Sequence, residues 1–473
     1  MAPDLARVRA ALIDQRCRAP FYRQTELRSL HDALLSNSKA LQDALAADCG
    51  YTKDETTWEI SASLLCVKRE FQNFKPKDEL ANEYLVANEK DNAQHREPIG
   101  LCYIEPATKH TPLFSIISAL APSIAAGNCN VVTVSDKTLL GQTLRSALSR
   151  ALDQDAFMFI DAPLDDPIVP GRTLRISQSS SEARPHAEEL VSLDSAVCIA
   201  VVDRTADLKK AAQQLFTARF THGGRSPYAP DIVLVNEFAM GDFVKEVLRE
   251  AMSASPRSPG SVGGTTVKDL DLHINSLQKR DSDAQLLMRK ENFAVIQRAS
   301  SNELLLKTQY PLLTLYPFRS LDHAIDLLAQ QQSGSPALAT YLFANPETAK
   351  YLSQFIEGAA TFVNHVPTEL LLGPAFPHTK PVDLKFRYPR DVLTLPRPQY
   401  IHSGRPAAKG GLSSKIAALK IQALAPVVVP YRHSGADLGF FDRGVIISLG
   451  FVVTTFVGTV GCAVAYWFKS RAI

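Results

Sequence analysis

No Cys-x-x-Cys pair occurs in the sequence; its seven cysteines stand apart at positions 17, 49, 66, 102, 129, 198 and 462. Scattered thiols argue against a zinc site or a disulfide framework and suit a body kept in a reducing cytosol. Charge of one sign is missing too: 51 Lys and Arg stand against 49 Asp and Glu, a net of +2. That balance gives no polyanion signal, and no RNA- or DNA-binding motif appears, so nucleic acid is not an expected partner. The first residues, Met1-Ala-Pro-Asp-Leu-Ala-Arg7, lack the basic-then-apolar layout of a secretory leader. There is no internal repeat of fixed period. What is present, 45% hydrophobic and 21% charged residues over 473 positions, is enough for two globular lobes.

One long apolar run breaks this ordinary composition. Gly444 to Phe468 contains no charge, with Arg443 before it, Lys469 and Arg471 after it, and Tyr466 and Trp467 at its far end. As a helix it would span about 37 Å, more than a hydrocarbon core of about 30 Å. Flanking cations and a terminal aromatic pair suit a membrane interface. The expectation is a single-pass C-terminal anchor, inserted after translation, with a cytosolic body. Endoplasmic reticulum, peroxisome and mitochondrial outer membrane all fit. Upstream, residues 404–443 read as a linker with a short amphipathic helix, capped by Ser413-Ser414 and carrying Ile416, Leu419, Ile421 and Leu424. That helix either lies on the membrane surface or docks on the body.

The body alternates helix and strand. Residues 4–49 read as helices with Leu27, Leu30, Leu34, Leu41 and Leu45 at helical spacing and Gly50 as the stop. Thr57–Phe74 reads as another helix, and Glu83–Arg96 as an exposed hairpin or arm. Leu101–Ile104, Pro112–Ala126 and Cys129–Val134 form a strand, helix and strand, which predicts a right-handed parallel crossover. Thr138–Leu152, Asp207–Phe220, Phe238–Ala251, Asp322–Gln331 and Pro346–Ile356 read as helices. Val197–Val202, Ile232–Val235, Leu312–Tyr316, Ala339–Phe343 and Ala360–Val363 read as strands. Residues 253–264 form a Ser/Pro/Gly-rich loop, and 371–403 a Pro-rich extended arm.

The segment Ala125-Ala-Gly-Asn128, closing an apolar helix, and the stretch Gly224-Arg-Ser-Pro-Tyr-Ala-Pro-Asp231 resemble the aldehyde dehydrogenase superfamily. Further pieces in order are Arg23-Gln24, Glu97-Pro-Ile-Gly100, Thr205-Ala-Asp-Leu208, Ala339-Thr-Tyr-Leu-Phe343 and Phe362-Val-Asn364. The similarity runs over about residues 20–400 and is closest to the class 3 or fatty-aldehyde branch, some of whose members carry a C-terminal membrane anchor. It implies an α/β fold of two doubly wound lobes plus the transmembrane helix. The implied division is residues 1–200 as a former cofactor lobe with an arm at 84–98, and 201–370 as a former catalytic lobe. An extended arm (371–403), the linker (404–443) and the anchor (444–468) follow.

The resemblance also implies a chemistry: a cysteine thiolate attacks the aldehyde, an asparagine amide helps stabilise the oxyanion, hydride leaves to NAD or NADP, and a glutamate activates water. At the matching positions this sequence has other residues. Pro227 stands at the nucleophile, where proline offers neither a nucleophile nor an N–H. His110 stands at the asparagine and retains at most one hydrogen-bond donor for the oxyanion. Leu193 stands at the glutamate, with Asp194 one residue on. On the cofactor side, Thr133 replaces the ribose-binding lysine and Lys307 the ribose-binding glutamate. The stretch 160–192 is too short for the phosphate turn and helix, and Gly171 is its only glycine.

Substitutes are few. Cys198 is either a relocated nucleophile or a core thiol in an apolar strand. Ser226 with His222 lacks a third group to orient the imidazole. Thr221-His-Gly-Gly-Arg225 is either a plain turn or an anion site, and His110 beside Lys109 either a solvated loop or a carboxylate or phosphate contact. The expected function is therefore a membrane-anchored family protein without the standard reaction and without a cofactor. It would act as scaffold or partner, as a homodimer or paired with an active relative through 84–98 and 376–400. The alternative is an active NAD(P)-dependent oxidation of a lipophilic aldehyde. No metal site is expected.

Overall fold

In the computed structural model, residues 5–161, 172–180, 189–193, 195–253, 267–280, 284–298, 304, 307–331, 336–378, 380–401, 412–427 and 440–470 are described. Two compact units divide the chain, Met1–Ile401 and His402–Ile473.

The larger unit opens with helices at Ala6–Asp14, Pro20–Ser36, Ser38–Cys49, Lys53–Asn73 and Pro76–Glu83. Gly50 ends the third in the left-handed region, φ 67°, as a C-cap glycine should. The fourth begins four residues before its expected start, because Thr52 and Glu55 form a reciprocal capping box. The strands follow: β1 (Arg96–Pro98), β2 (Leu101–Glu105), β3 (Cys129–Thr133), β4 (Phe157–Ile160), β5 (Thr173–Ser180) and β6 (Glu189–Leu193). Next come β7 (Cys198–Val202), β8 (Ile232–Asn236), β9 (Gln285–Lys290), β10 (Phe293–Gln297) and β11 (Leu312–Phe318). The last are β12 (Ala339–Phe343), β13 (Thr361–Val363) and β14 (Thr394–Pro396).

Two sheets organise them. The first is parallel, in the order β4-β3-β2-β5-β6. Chain order runs outward from β2 in both directions, so the point of reversal lies between β2 and β5, where doubly wound sheets place ligands. The second runs β13-β12-β7-β8-β11-β10-β9, parallel except for the β9–β10 pair. Between β2 and β3 lies the helix Pro112–Ala126. It is apolar nearly all round because it is covered by the N-terminal helices on one side and the first sheet on the other. Gly127 ends it at φ +91°, and an added Cβ would stand 2.9 Å from Nε of the buried Arg23. Arg23 in turn donates to the Cys17 and Ala125 carbonyls, setting a cation at the carbonyl end of the helix. The Arg23 and Ala125-Ala-Gly-Asn128 pieces of the resemblance are thus one packing unit.

Several expectations need correction. Glu83–Arg96 is not a hairpin: a helix ends at Glu83, a short 3-10 turn spans Val86–Asn88, and β1 pairs antiparallel with β14 in the same chain. Strands β4, β5, β6, β9 and β10 and the helix Val267–Arg280 are additions to the elements expected from sequence. The loop expected at 253–264 falls almost wholly outside the described residues.

In the smaller unit, Leu412–Leu424 is a helix on which Ile416, Leu419, Ile421 and Leu424 are all exposed. At about 100° per residue these four cover more than half the circumference, a broad apolar arc instead of one stripe. Phe440–Ser470 is a continuous helix, and Gly444–Gly461 within it has mean hydropathy 1.9 and no buried residue. It is long and apolar enough to cross a membrane.

Candidate functional site

The turn before β8 carries the nucleophile position. Thr221–Gly224 winds as a 3-10 turn in which His222, Gly223 and Gly224 have positive φ, and a Cβ on Gly224 would stand 2.9 Å from the Arg219 carbonyl. This turn delivers Arg225, Ser226 and Pro227. Asp231 then fixes the loop to the sheet: its N–H donates to the Cys198 carbonyl, and the Cys198 N–H donates to its Oδ2, both at 2.9 Å.

Asp231 is the centre of a buried ionic group. Arg219 Nη1 approaches its Oδ1 at 3.2 Å and Lys307 Nζ its Oδ2 at 2.9 Å, with Arg219 and Asp231 fully buried and Lys307 nearly so. The Thr308 N–H donates to Oδ1 as well, so the carboxylate has four donors. Lys307 Nζ also donates to the Pro227 carbonyl. The residue at the ribose-glutamate position is therefore tied to the residue at the nucleophile position.

His110 sits beside them, buried, with Nε2 2.8 Å from the Leu371 carbonyl. Burial and then the neighbouring His222 ring hold its pKa well below the ordinary 6.5. A carbonyl can only accept, so the neutral ring carries its proton on Nε2 and keeps a lone pair on Nδ1, which has no partner among the described residues. The donor expected to survive for an oxyanion is spent on Leu371. Behind His110, Glu59 accepts from the Leu113 and Phe114 N–H groups at the start of the Pro112–Ala126 helix. Complete burial pushes its carboxyl up to about 8, against the lowering effect of those two bonds.

Of the positions named from sequence, Pro227, His110 and Lys307 come together around one cavity of about 30 Å³, also lined by Lys109, Arg225 and Ser226. The others lie apart. Leu193 borders a separate cavity of about 610 Å³ with Tyr228 and Phe376. Thr133 is at the end of β3, where its hydroxyl meets Tyr103 Oη at 3.1 Å. Asp194 lies outside the described residues. Cys198 is fully buried in β7, its Sγ donating to the Pro227 carbonyl at 3.3 Å, and burial pushes its thiol up to about 12. Its sulfur faces the back of the loop that carries the nucleophile position.

At the reversal point between β2 and β5, Arg175 makes two bonds to Glu105, at 2.8 and 3.1 Å, and Tyr103 donates to the same carboxylate. Among the described residues of 161–197 there is no helix, only β5 and β6. Glu105 ends β2 and Arg175 lies within β5, so this ion pair bridges the two strands beside the reversal point. Sequence reasoning did not single out Arg219, Asp231 as an ionic centre, or Glu59. The first two are twelve residues apart with no periodicity to link them. Glu59 does leave a trace, since it shares a helical stripe with Thr56, Ile60, Ser63 and Val67, all buried.

Residues 8–160 match the family model described as Aldehyde dehydrogenase family. That match covers the first third of the chain, and the similarity to named aldehyde dehydrogenases extends beyond it. Among its relatives is the 4,4'-diaponeurosporen-aldehyde dehydrogenase of Staphylococcus aureus, 23% identical over 363 residues, 69% of this chain and 76% of the relative. Aldehyde dehydrogenase family 3 member B3 of Mus musculus is 25% identical over 378 residues, 72% of this chain and 76% of the relative. In fold, the substrate-bound Staphylococcus aureus AldH superposes with a TM-score of 0.66 at 18% identity, over 88% of this chain and 98% of that one. The likeness of fold thus extends over most of the chain.

Proposed function

We propose that this aldehyde dehydrogenase family chain is a membrane-anchored binding or scaffold protein that does not carry out cysteine-dependent aldehyde oxidation. One observation carries the reading: Lys307, tethered to Asp231 and to the Pro227 carbonyl, occupies the cleft that the reaction would need, and no thiol among the described residues lines it. A thiolate must reach the substrate carbon, and a proline cannot supply one. Cys198, whose thiol bonds the Pro227 carbonyl of that loop, is buried with its pKa raised. The Glu105–Arg175 pair beside the reversal point of the first sheet supports the same reading for the cofactor. The helix Phe440–Ser470 supplies the anchor, and the β1–β14 ribbon offers a free edge for a second copy or an active relative.

The second reading is NAD(P)-dependent oxidation of a lipophilic aldehyde at the membrane, favoured by the relative named for 4,4'-diaponeurosporen-aldehyde. One experiment separates the two. Membranes from cells expressing the full chain are washed with alkaline carbonate, solubilised in mild detergent, and given NAD or NADP with long-chain and terpenoid aldehydes. The expected result is a chain retained in the washed membrane and no aldehyde-dependent nicotinamide reduction. Release by carbonate removes the anchor from the proposal; turnover that depends on one cysteine establishes the second reading.

A further inference from the structure

The cavity at Pro227 is short of negative charge. Lys109, Arg225 and Lys307 line it and Arg219 stands directly behind, while Asp231 is the one carboxylate among the described residues in contact with any of the four. Asp231 is already shared by Arg219 and Lys307. Arg225 donates to the Lys109 and Cys49 carbonyls, at 3.0 Å each, and forms no ion pair among the described residues; neither does Lys109. Glu59, bonded to the Leu113 and Phe114 N–H groups, has its carboxyl pushed up to about 8 by burial, which disfavours the charged form. Carbonyl oxygens satisfy guanidinium hydrogens but do not neutralise the charge. Cations that share one partly enclosed cavity repel one another, and a bound anion relieves that repulsion.

The same cavity holds an acceptor without a donor. His110 is 4% exposed, lines the cavity, and has a lone pair on Nδ1 with no partner among the described residues. A ligand that satisfies this set brings negative charge to Lys109 and Arg225 and an O–H to His110. We propose that the cavity binds a hydrogen-phosphate-class oxyanion, either free phosphate or the monoester head of a lipid. A volume of about 30 Å³ admits roughly two water-sized atoms. The leading oxygens therefore enter, and the remainder of the group reaches outward past the exposed Lys109. The proposal deepens the reading of this cleft as closed to the family reaction, and names what occupies it instead.

The test uses the full chain in detergent and reads its melting temperature, so it is independent of any nicotinamide signal. Phosphate, sulfate and acetate are titrated at pH 7 and constant ionic strength with chloride as balance. Dodecyl phosphate is titrated against dodecyl sulfate in parallel. A saturable rise is expected with phosphate, and an apparent Kd about tenfold weaker for sulfate, which matches its size but has no proton for His110. Saturation by inorganic phosphate assigns the free ion; saturation only by dodecyl phosphate assigns a lipid head. Lys109→Gln, at an exposed side chain, is expected to weaken binding about tenfold without lowering the unliganded melting temperature. Arg225→Gln is expected to abolish it. Equal stabilisation by all anions, or a titration that Lys109→Gln leaves unchanged, overturns the proposal. A turnover signal in the aldehyde assay would refute the closed-cleft reading and leave this titration standing.

Discussion

Replacing Asp231 by Asn is expected to destabilise the chain by about 3–5 kcal/mol, the range for breaking a buried ion pair on one side. The asparagine side chain is nearly the same size and can still accept a hydrogen bond, so packing changes little. What changes is charge: Arg219, fully buried, and Lys307, nearly so, would keep theirs with no counter-ion. Urea denaturation of the full chain in detergent checks this through the midpoint at constant slope. A loss below about 1 kcal/mol would mean that the ionic group does not hold the cleft closed. The same substitution should free Lys307 from Asp231 and open the cavity, so an increase in phosphate affinity is not expected to offset the lost stability.

Glu59→Gln is expected to act in the opposite direction. The folded pKa of Glu59 lies at about 8, above its ordinary value of 4.5, so the native state holds a proton that the unfolded state releases. The native-state preference is complete below pH 4.5 and is lost as pH rises toward 8, at about 1.4 kcal/mol per unit. Gln keeps the acceptor for Leu113 and Phe114 but has no proton to lose. The variant should therefore be more stable than the parent by about 3 kcal/mol at pH 7. Its stability should also vary less between pH 5 and 8. Some slope remains, because burial also raises Glu70, to about 7. Melting temperatures across that interval decide it; parallel curves for the two proteins would place an ionised Glu59 in the native state. On the acid side His110 works the other way: held neutral, it contributes stability above its ordinary 6.5 that is lost on acidification.

Much of this architecture is legible in the sequence because it rests on local rules. The helix Pro112–Ala126 can be read to the residue, since proline at its first position and glycine beyond its last are covalent punctuation. The helices starting at Leu139 and Leu208 can be read within a residue of their caps, Thr138 and Asp207. Strands β7, β8 and β12 announce themselves as short apolar runs because both faces are buried. By contrast β5, Thr-Leu-Arg-Ile-Ser-Gln-Ser-Ser, is polar enough to read as loop, and its place in the sheet is set by β2 across the register Leu101 to Thr173. The reading of 160–192 as short of a phosphate helix follows from length and glycine count alone.

The site is legible as losses and not as gains. Each substituted position can be named because a neighbouring motif fixes its register, most firmly Tyr228-Ala-Pro-Asp231 after Pro227. That Lys307 crosses to the Pro227 carbonyl, or that His110 gives its one proton to Leu371, depends on side chains 80 and 261 residues from their partners in the chain. No periodicity encodes such a meeting. The exposed rim of the cavity at Lys109 and its half-buried wall at Arg225 likewise read separately as a loop and a glycine turn, and only the fold joins them.

The central claim is that no thiol in this body serves as a nucleophile, and native-state alkylation tests it directly. The full chain in detergent would be treated with iodoacetamide and each cysteine followed by mass spectrometry, with and without a long-chain aldehyde and NAD. With Cys198 fully buried and its thiol pushed up to about 12, labelling there should occur only as fast as the protein unfolds, and aldehyde should not alter it. Rapid labelling of Cys198 in the native state, blocked by aldehyde, would contradict the account and make this chain an enzyme with a relocated nucleophile.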